Sequence, residues 1–135
     1  MNNSRFATSL HILTLLDFQQ DELLSSEYIA GSININPSIV RKEISNLKEH
    51  GLLTCKEGKG GGSTLSKSAQ EIKLSDIYQA VRQSSLLGRS NDPNPKCKVG
   101  KQINFHIDKL YTQAEEAMIK KLEHITLADF SKDFK

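Results

Sequence analysis

A mainly α-helical chain with a small β-hairpin, closed by one long C-terminal helix, is the fold class that three segments of this sequence predict. The first is Lys56-Glu57-Gly58-Lys59-Gly60-Gly61-Gly62-Ser63, with four glycines and two lysines in eight residues. It lies between the apolar run Leu52-Leu53-Thr54-Cys55 and Thr64-Leu65, and two extended runs joined by a glycine-rich tip read as a hairpin. The second is Asn36-Pro37-Ser38-Ile39-Val40-Arg41-Lys42 just upstream, a capped helix start with basic residues. The third is a near-heptad apolar stripe that begins at Ile103. A capped helix followed by a basic hairpin is the order of parts in a winged helix-turn-helix. There the helix enters a DNA major groove and the hairpin, the wing, reaches the flanking backbone or minor groove. The expected architecture is that module plus a long C-terminal dimerisation helix.

In chain order, Arg5 to Phe18 is predicted as the first helix. Phe6, Leu10, Leu13 and Leu16 fall near helical spacing, and Ala7, Ile12 and Leu15 widen the stripe. A helix apolar over so much of its surface is buried or shared with a partner subunit. His11 within it reads as a packed histidine with one hydrogen bond. Ser25 is a good N-cap for a second helix, with Glu27 favourable in its first turn and Ile29, Ala30 and Ile33 facing inward. Asn34 stands where the turn needs a residue tolerant of the left-handed conformation. Asn36 then caps the third helix, Pro37 takes its first position at no cost in hydrogen bonds, and Gly51 ends it.

The third helix is two-faced. Val40, Ile44 and Leu47 recur at helical spacing and face the core. Ser38, Arg41, Lys42 and Ser45 lie opposite, and these residue types reach base edges and phosphates. Lys56, Lys59, Gly60 and Gly61 of the hairpin, with Arg5, complete the expected DNA-contacting set. A solvated hairpin carrying lysines for solubility is the plain alternative, and the helix upstream is what favours DNA. A nucleotide-binding phosphate loop is excluded, because Lys59 precedes the glycines and no Lys-Ser/Thr pair closes the loop.

Ile72 and Leu74 prepare a fourth helix, near Ser75 to Gln83, with Ile77, Ala80 and Val81 inward. Gly88 to Gly100 is a loop, because two prolines in Asn91-Asp92-Pro93-Asn94-Pro95 exclude regular structure. A long helix follows from about Lys101 to His124. Its stripe of Ile103, Ile107, Leu110, Ala114, Met118 and Leu122 is the expected dimer interface; docking on its own domain is the alternative. Thr126 opens a short capped turn, and the charged tail is expected to fray. The organisation is residues 1–87 as the DNA-binding region, 88–100 as a loop carrying Cys97 and 101–135 as dimerisation helix and tail, within one compact domain.

Composition narrows the function classes. The chain has 135 residues, 37% apolar and 25% charged, ordinary for one globular domain. No apolar run approaches the roughly 20 residues that span a bilayer. The first residues enter an amphipathic helix rather than a signal peptide, and two cysteines make no disulfide framework, so a cytoplasmic protein with no membrane partner is expected. Net charge is only +2, yet residues 37 to 67 hold six basic groups against three acidic ones, a local stripe suited to phosphates. No His/Cys/carboxylate cluster supports an enzyme, so catalytic residues are expected to be absent.

These segments together resemble the small winged-helix regulators that include IscR, NsrR and CymR. The resemblance is carried by Ser4-Arg5-Phe6-Ala7 with Leu10-His11-Ile12-Leu13, then Ser25 to Ala30, Asn36-Pro37 with Val40-Arg41-Lys42, and Gly51-Leu52-Leu53. Gly58 to Gly62, Ile72 to Val81 and Ile125 to Phe130 follow in order. It covers nearly the whole chain. It implies a homodimeric bacterial transcription factor, usually a repressor, whose long C-terminal helices cross between subunits; two-fold symmetry then makes an inverted repeat in double-stranded DNA the expected site. A winged helix used for protein–protein assembly without DNA is the alternative function. Members that hold an iron–sulfur cluster use three cysteines in the loop before the long helix, and here only Cys97 remains. A cluster needs about four protein ligands, and neither His106 nor Asp92 has matching spacing, so no cluster, no metal and no other cofactor is expected. The position after the wing glycines, often aromatic in the family, is Ser63, and Glu57 stands where a basic residue is common. Cys97 itself is a candidate redox sensor, because Lys96 and Lys98 flank it and positive neighbours stabilise the reactive thiolate.

Overall fold

A computed structural model describes residues 4–83 and 86–135. The elements run α1 (Arg5–Phe18), α2 (Ser26–Ile33), α3 (Pro37–Glu49), β1 (Leu53–Lys56), β2 (Gly62–Leu65), α4 (Leu74–Val81), α5 (Gly100–Glu123) and α6 (Leu127–Ser131). Short 3-10 turns sit at Ala69–Glu71 and Lys132–Phe134. The two strands form one antiparallel ladder in which Leu53 faces Leu65 and Lys56 faces Gly62. The fold is therefore mainly α with a two-stranded wing, and every predicted element is present.

The core is built where the apolar spacing put it. Ile12, Leu13 and Leu16 of α1, Ile29 of α2, Val40 and Leu47 of α3, and Ile77 of α4 are at most 1% exposed. Leu53 of the wing, Ile72 and Leu127 join them at the same depth. Burying each such side chain contributes about 1.5–3 kcal/mol before conformational entropy is charged against it. α6 returns the C-terminus to this core: Leu74 N–H donates to Ile125 O at 2.9 Å and Leu127 N–H to Ile72 O at 2.8 Å. Thr126 and Asp129 form a reciprocal cap, each backbone N–H donating to the other's side chain at 3.0 Å. The bonds from Thr126, its backbone N–H first, hold the Asp129 carboxyl below the usual carboxylate range. That stabilisation is present above the ordinary carboxylate pKa and is lost as pH falls below it.

Three boundaries differ from expectation. α4 ends at Val81, because Arg82 turns extended (φ −64°, ψ 137°) after its N–H donates to Tyr78 O. α5 starts at Gly100 and carries no fully buried residue; only Leu122, near its end, packs on the core. The charged tail is anchored rather than frayed. Phe134 lies against Phe130 with ring centroids 5.4 Å apart, and Lys135 Nζ is 3.4 Å from the Asp17 carboxylate, whose side chain is 7% exposed. An aromatic at i+4 from Phe130 gives the last turn something to pack on.

Candidate nucleic-acid interface

The helix-turn-helix is set by local chemistry. Ser25 Oγ accepts from Tyr28 N–H at 3.1 Å and starts α2. Asn34 adopts φ 64°, ψ 49°, the left-handed turn, and its N–H donates to Ala30 O at 2.7 Å. Asn36 Oδ1 accepts from Ser38 N–H at 2.8 Å and starts α3, with Pro37 at the first position. Asn46 Nδ2 donates to Ala80 O at 2.8 Å and ties α3 to α4.

With Val40, Ile44 and Leu47 locked inward, Ser38, Arg41, Lys42 and Ser45 all stand exposed on the opposite face of α3. Arg41 Nη1 lies 3.3 Å from Glu27 Oε2, with both side chains more than half exposed (57% and 71%). Such a pair is worth at most about 1 kcal/mol, so it holds the guanidinium over the α2–α3 turn without committing it. Arg5 differs. Its Nε donates to Glu43 Oε2 at 2.7 Å and its Nη2 to Glu43 Oε1 at 3.0 Å, and the Glu43 side chain is 5% exposed. The hydrogen bond to Glu43 raises the Arg5 pKa, against burial that lowers it. A two-pronged bond to a buried carboxylate is strong and geometrically exacting. The pair fixes α1 against the recognition helix.

The wing projects Lys56, Lys59 and Gly60 into solvent, with Gly61 half-buried at the turn. A Cβ at Gly61 would lie 2.1 Å from Lys56 O, so the tip closes only around glycine. Ser63, which stands where the family often has an aromatic, is 4% exposed and pairs with the segment between α1 and α2. Leu24 N–H donates to Ser63 O at 3.1 Å and Ser63 N–H to Leu24 O at 2.9 Å. Cys55 is half-buried beside it, its Sγ 3.5 Å from Ser63 Oγ. A Cβ at Gly62 would meet Leu24 O at 2.7 Å. We therefore expect Gly62→Ala to cost about 1–3 kcal/mol, read as a lower midpoint in urea unfolding. An unchanged midpoint would mean that the bridge to Leu24 contributes nothing.

Sequence reasoning missed Glu43, the Leu24–Ser63 bridge and Ile39. Glu43 was visible in principle: it lies three residues after Val40, on the buried stripe, where a carboxylate demands a partner. Ile39, 48% exposed beside Ser38, adds an apolar group to the outer surface of α3. Nothing in the hydropathy pattern predicts the bridge. On α5, Ile103 and Leu110 are 38% and 57% exposed, while Ile107, Ala114 and Met118 are half-buried.

The chain matches, over residues 2–133, the family model described as Rrf2, iron-dependent transcriptional regulator. The chain belongs to the Rrf2 family. YwnA of Bacillus subtilis (strain 168), assigned as an HTH-type transcriptional regulator, is 42% identical over 130 residues, 96% of each chain. A crystal structure of a protein assigned as DNA-binding is 38% identical, covers 94% of this chain and 98% of its own, and superposes with a TM-score of 0.77. CymR of Bacillus subtilis, at 21% identity over 98% of this chain and 96% of its own, shares the fold with a TM-score of 0.72. This Rrf2 protein is a transcriptional regulator of the DNA-binding, winged helix-turn-helix kind and not an enzyme. The alternative of a winged helix kept only for protein–protein assembly gives way to that function. No helix among the described residues is long and apolar enough to cross a membrane.

The donors for an iron–sulfur cluster do not fit. Cys97 is exposed in the turn that opens α5, its N–H donating to Asn94 O at 3.1 Å and its carbonyl accepting from Lys101 N–H at 2.9 Å. Cys55, in the wing, is occupied with Ser63. Among the described residues no three His, Cys, Asp or Glu side chains come together, so Asp92 and His106 do not complete a set with Cys97.

Proposed function

We propose that this Rrf2 protein is a homodimeric repressor that reads an inverted-repeat operator in duplex DNA, acts in the bacterial cytoplasm and works without an iron–sulfur cluster or other resident cofactor. The observation that carries the reading is the two-faced α3, whose outer face offers Ser38, Arg41, Lys42 and Ser45 as one exposed set. Exposed apolar residues on α5 support pairing with a second copy, and a two-fold dimer spaces its recognition helices about one DNA turn apart. Repression needs only operator occupancy, which is itself enough to block transcription. Selection of bound duplexes from a random pool, followed by mobility-shift titration over a range of salt, tests this. Recovery of an inverted repeat with steeply salt-dependent affinity is expected; salt-independent or sequence-blind binding overturns it.

Cys97 is the candidate signal input. Its thiol is exposed whereas Cys55 is half-buried, and access controls thiol chemistry. Iodoacetamide should therefore label Cys97 well before Cys55 in the native protein, as read by peptide mass, and peroxide should weaken DNA binding of the parent but not of Cys97→Ser. Equal labelling of both thiols, or a Cys97→Ser protein that responds like the parent, rejects Cys97 as the sensor.

A further inference from the structure

A cleft of about 770 Å³ lies between the end of α4, residues 88–90 and the middle of α5. Its charges divide into two groups. Arg82 Nη2 is 2.6 Å from Glu115 Oε1, and the Glu115 side chain is only 13% exposed. Burial, with Glu115 beside it, pushes the Tyr78 hydroxyl pKa up. Arg82 and Glu115 thus neutralise each other against the body of the domain. Arg89, Asp108 and Glu116 also line the cleft. They are exposed, and none has an ion-pair partner among the described residues.

The unused charges are one cation and two anions. An anionic ligand such as a phosphate or a dicarboxylate would meet two carboxylates, whereas a molecule with one carboxylate and two ammonium groups complements all three. Asp108 and Glu116 are eight residues apart, about 12 Å along a helix axis. Two ammonium groups separated by a flexible chain suit that spacing better than a compact zwitterion does. Tyr111, between them in the helix, and Ile119, beyond Glu116, also line the cleft, and an aromatic ring there is a partner for a cation. Asp108, Glu116 and Ile119 point more than a quarter of a turn away from the Ile107–Ala114–Met118 stripe, whereas Tyr111 borders it, so pairing of α5 with a second copy would leave the two carboxylates accessible.

We propose that this cleft binds a free basic amino acid of the lysine and ornithine class, its carboxylate on Arg89 and its two ammonium groups on Asp108 and Glu116. The walls are Arg82, just past α4, which packs on the recognition helix, residues 88–90 and α5. Occupancy would therefore bridge the DNA-reading part and the long helix.

The test is titration of the full-length protein with L-lysine, followed by calorimetry and by backbone amide NMR. Saturable binding is expected, with shifts concentrated at Arg89 and along 108–119. Arg89→Ala should weaken L-lysine about tenfold or more while leaving cadaverine, which lacks the carboxylate, unchanged. Glu116→Gln should weaken both. Both substitutions are at exposed positions, and thermal melting checks that the variants fold. Absence of saturable binding at millimolar L-lysine overturns the proposal. So does cadaverine binding as tightly as lysine to the parent, or lysine affinity that neither variant lowers. Binding is read on the free protein, so failure of the repressor reading and failure of this site remain distinct outcomes.

Discussion

Leu110→Asp is expected to sediment as a monomer at micromolar concentration, where the proposed dimer of the parent should persist, and to lose specific DNA binding with it. Leu110 is 57% exposed in the single chain although it lies in the middle of the stripe from Ile103 to Leu122. A 24-residue helix with no buried residue packs on α4 and pairs Glu115 with Arg82, yet Ile103 and Leu110 of its apolar stripe stay exposed. An apolar stripe left in water is the mark of a surface meant for a partner. In a two-fold dimer the substitution occurs twice, near the axis, and each buried unpaired carboxylate costs several kcal/mol. Standard interfaces rest on a few such central residues. Inside one chain the change is nearly free, so the thermal stability of the monomeric unit should move little. Operator affinity should fall by two orders of magnitude or more, because one half-site supplies only its own share of the contacts. A dimer undisturbed by Leu110→Asp would place the interface on another surface.

What the sequence made legible follows from how far apart the interacting groups are. The cap at Ser25, the left-handed Asn34, and Asn36 with Pro37 are bonds within a few residues. Residue type and spacing alone predict them. The same holds for the buried stripe of α3 and for the wing, whose glycine tip leaves few alternatives. The burial of Ser63 was not legible because its partner is Leu24, in a segment with no strand pattern of its own. Arg5 pairs with Glu43 across 38 positions and Lys135 with Asp17 across 118. No local rule connects such residues, and a basic residue at a helix start reads equally well as a phosphate contact or as half of an ion pair. The outer face of α3 was legible for the opposite reason: it needs no partner inside the chain, so amphipathic spacing suffices to expose it. The charge pattern of the cleft beside α5 was not legible, since the pairing of Arg82 with Glu115, which decides which charges remain unused, is a tertiary contact.

Arg41→Ala and Lys59→Ala should separate reading of sequence from attraction to the backbone. Arg41 sits on the outer face of α3, and its only ion pair among the described residues is the exposed one with Glu27. Transferring the guanidinium from that carboxylate to a guanine or a phosphate costs at most about 1 kcal/mol, while a good bidentate base contact is worth about 1–3 kcal/mol. Arg41→Ala should therefore weaken the selected operator by about 5- to 150-fold. It should barely change affinity for random duplex or the melting temperature. Glu27→Gln supplies the sign check: it removes the competing carboxylate, so operator affinity should stay equal or rise. Lys59 lies at the wing tip, exposed and without an ion-pair partner among the described residues. A phosphate contact there releases about one counterion, so Lys59→Ala should lower affinity for every duplex alike and flatten the log–log salt slope by about one unit. Parent-like binding by both variants would remove α3 and the wing from the DNA interface. Loss of specificity in Lys59→Ala with a normal Arg41→Ala would exchange their roles, making the wing tip the reader and the helix the anchor.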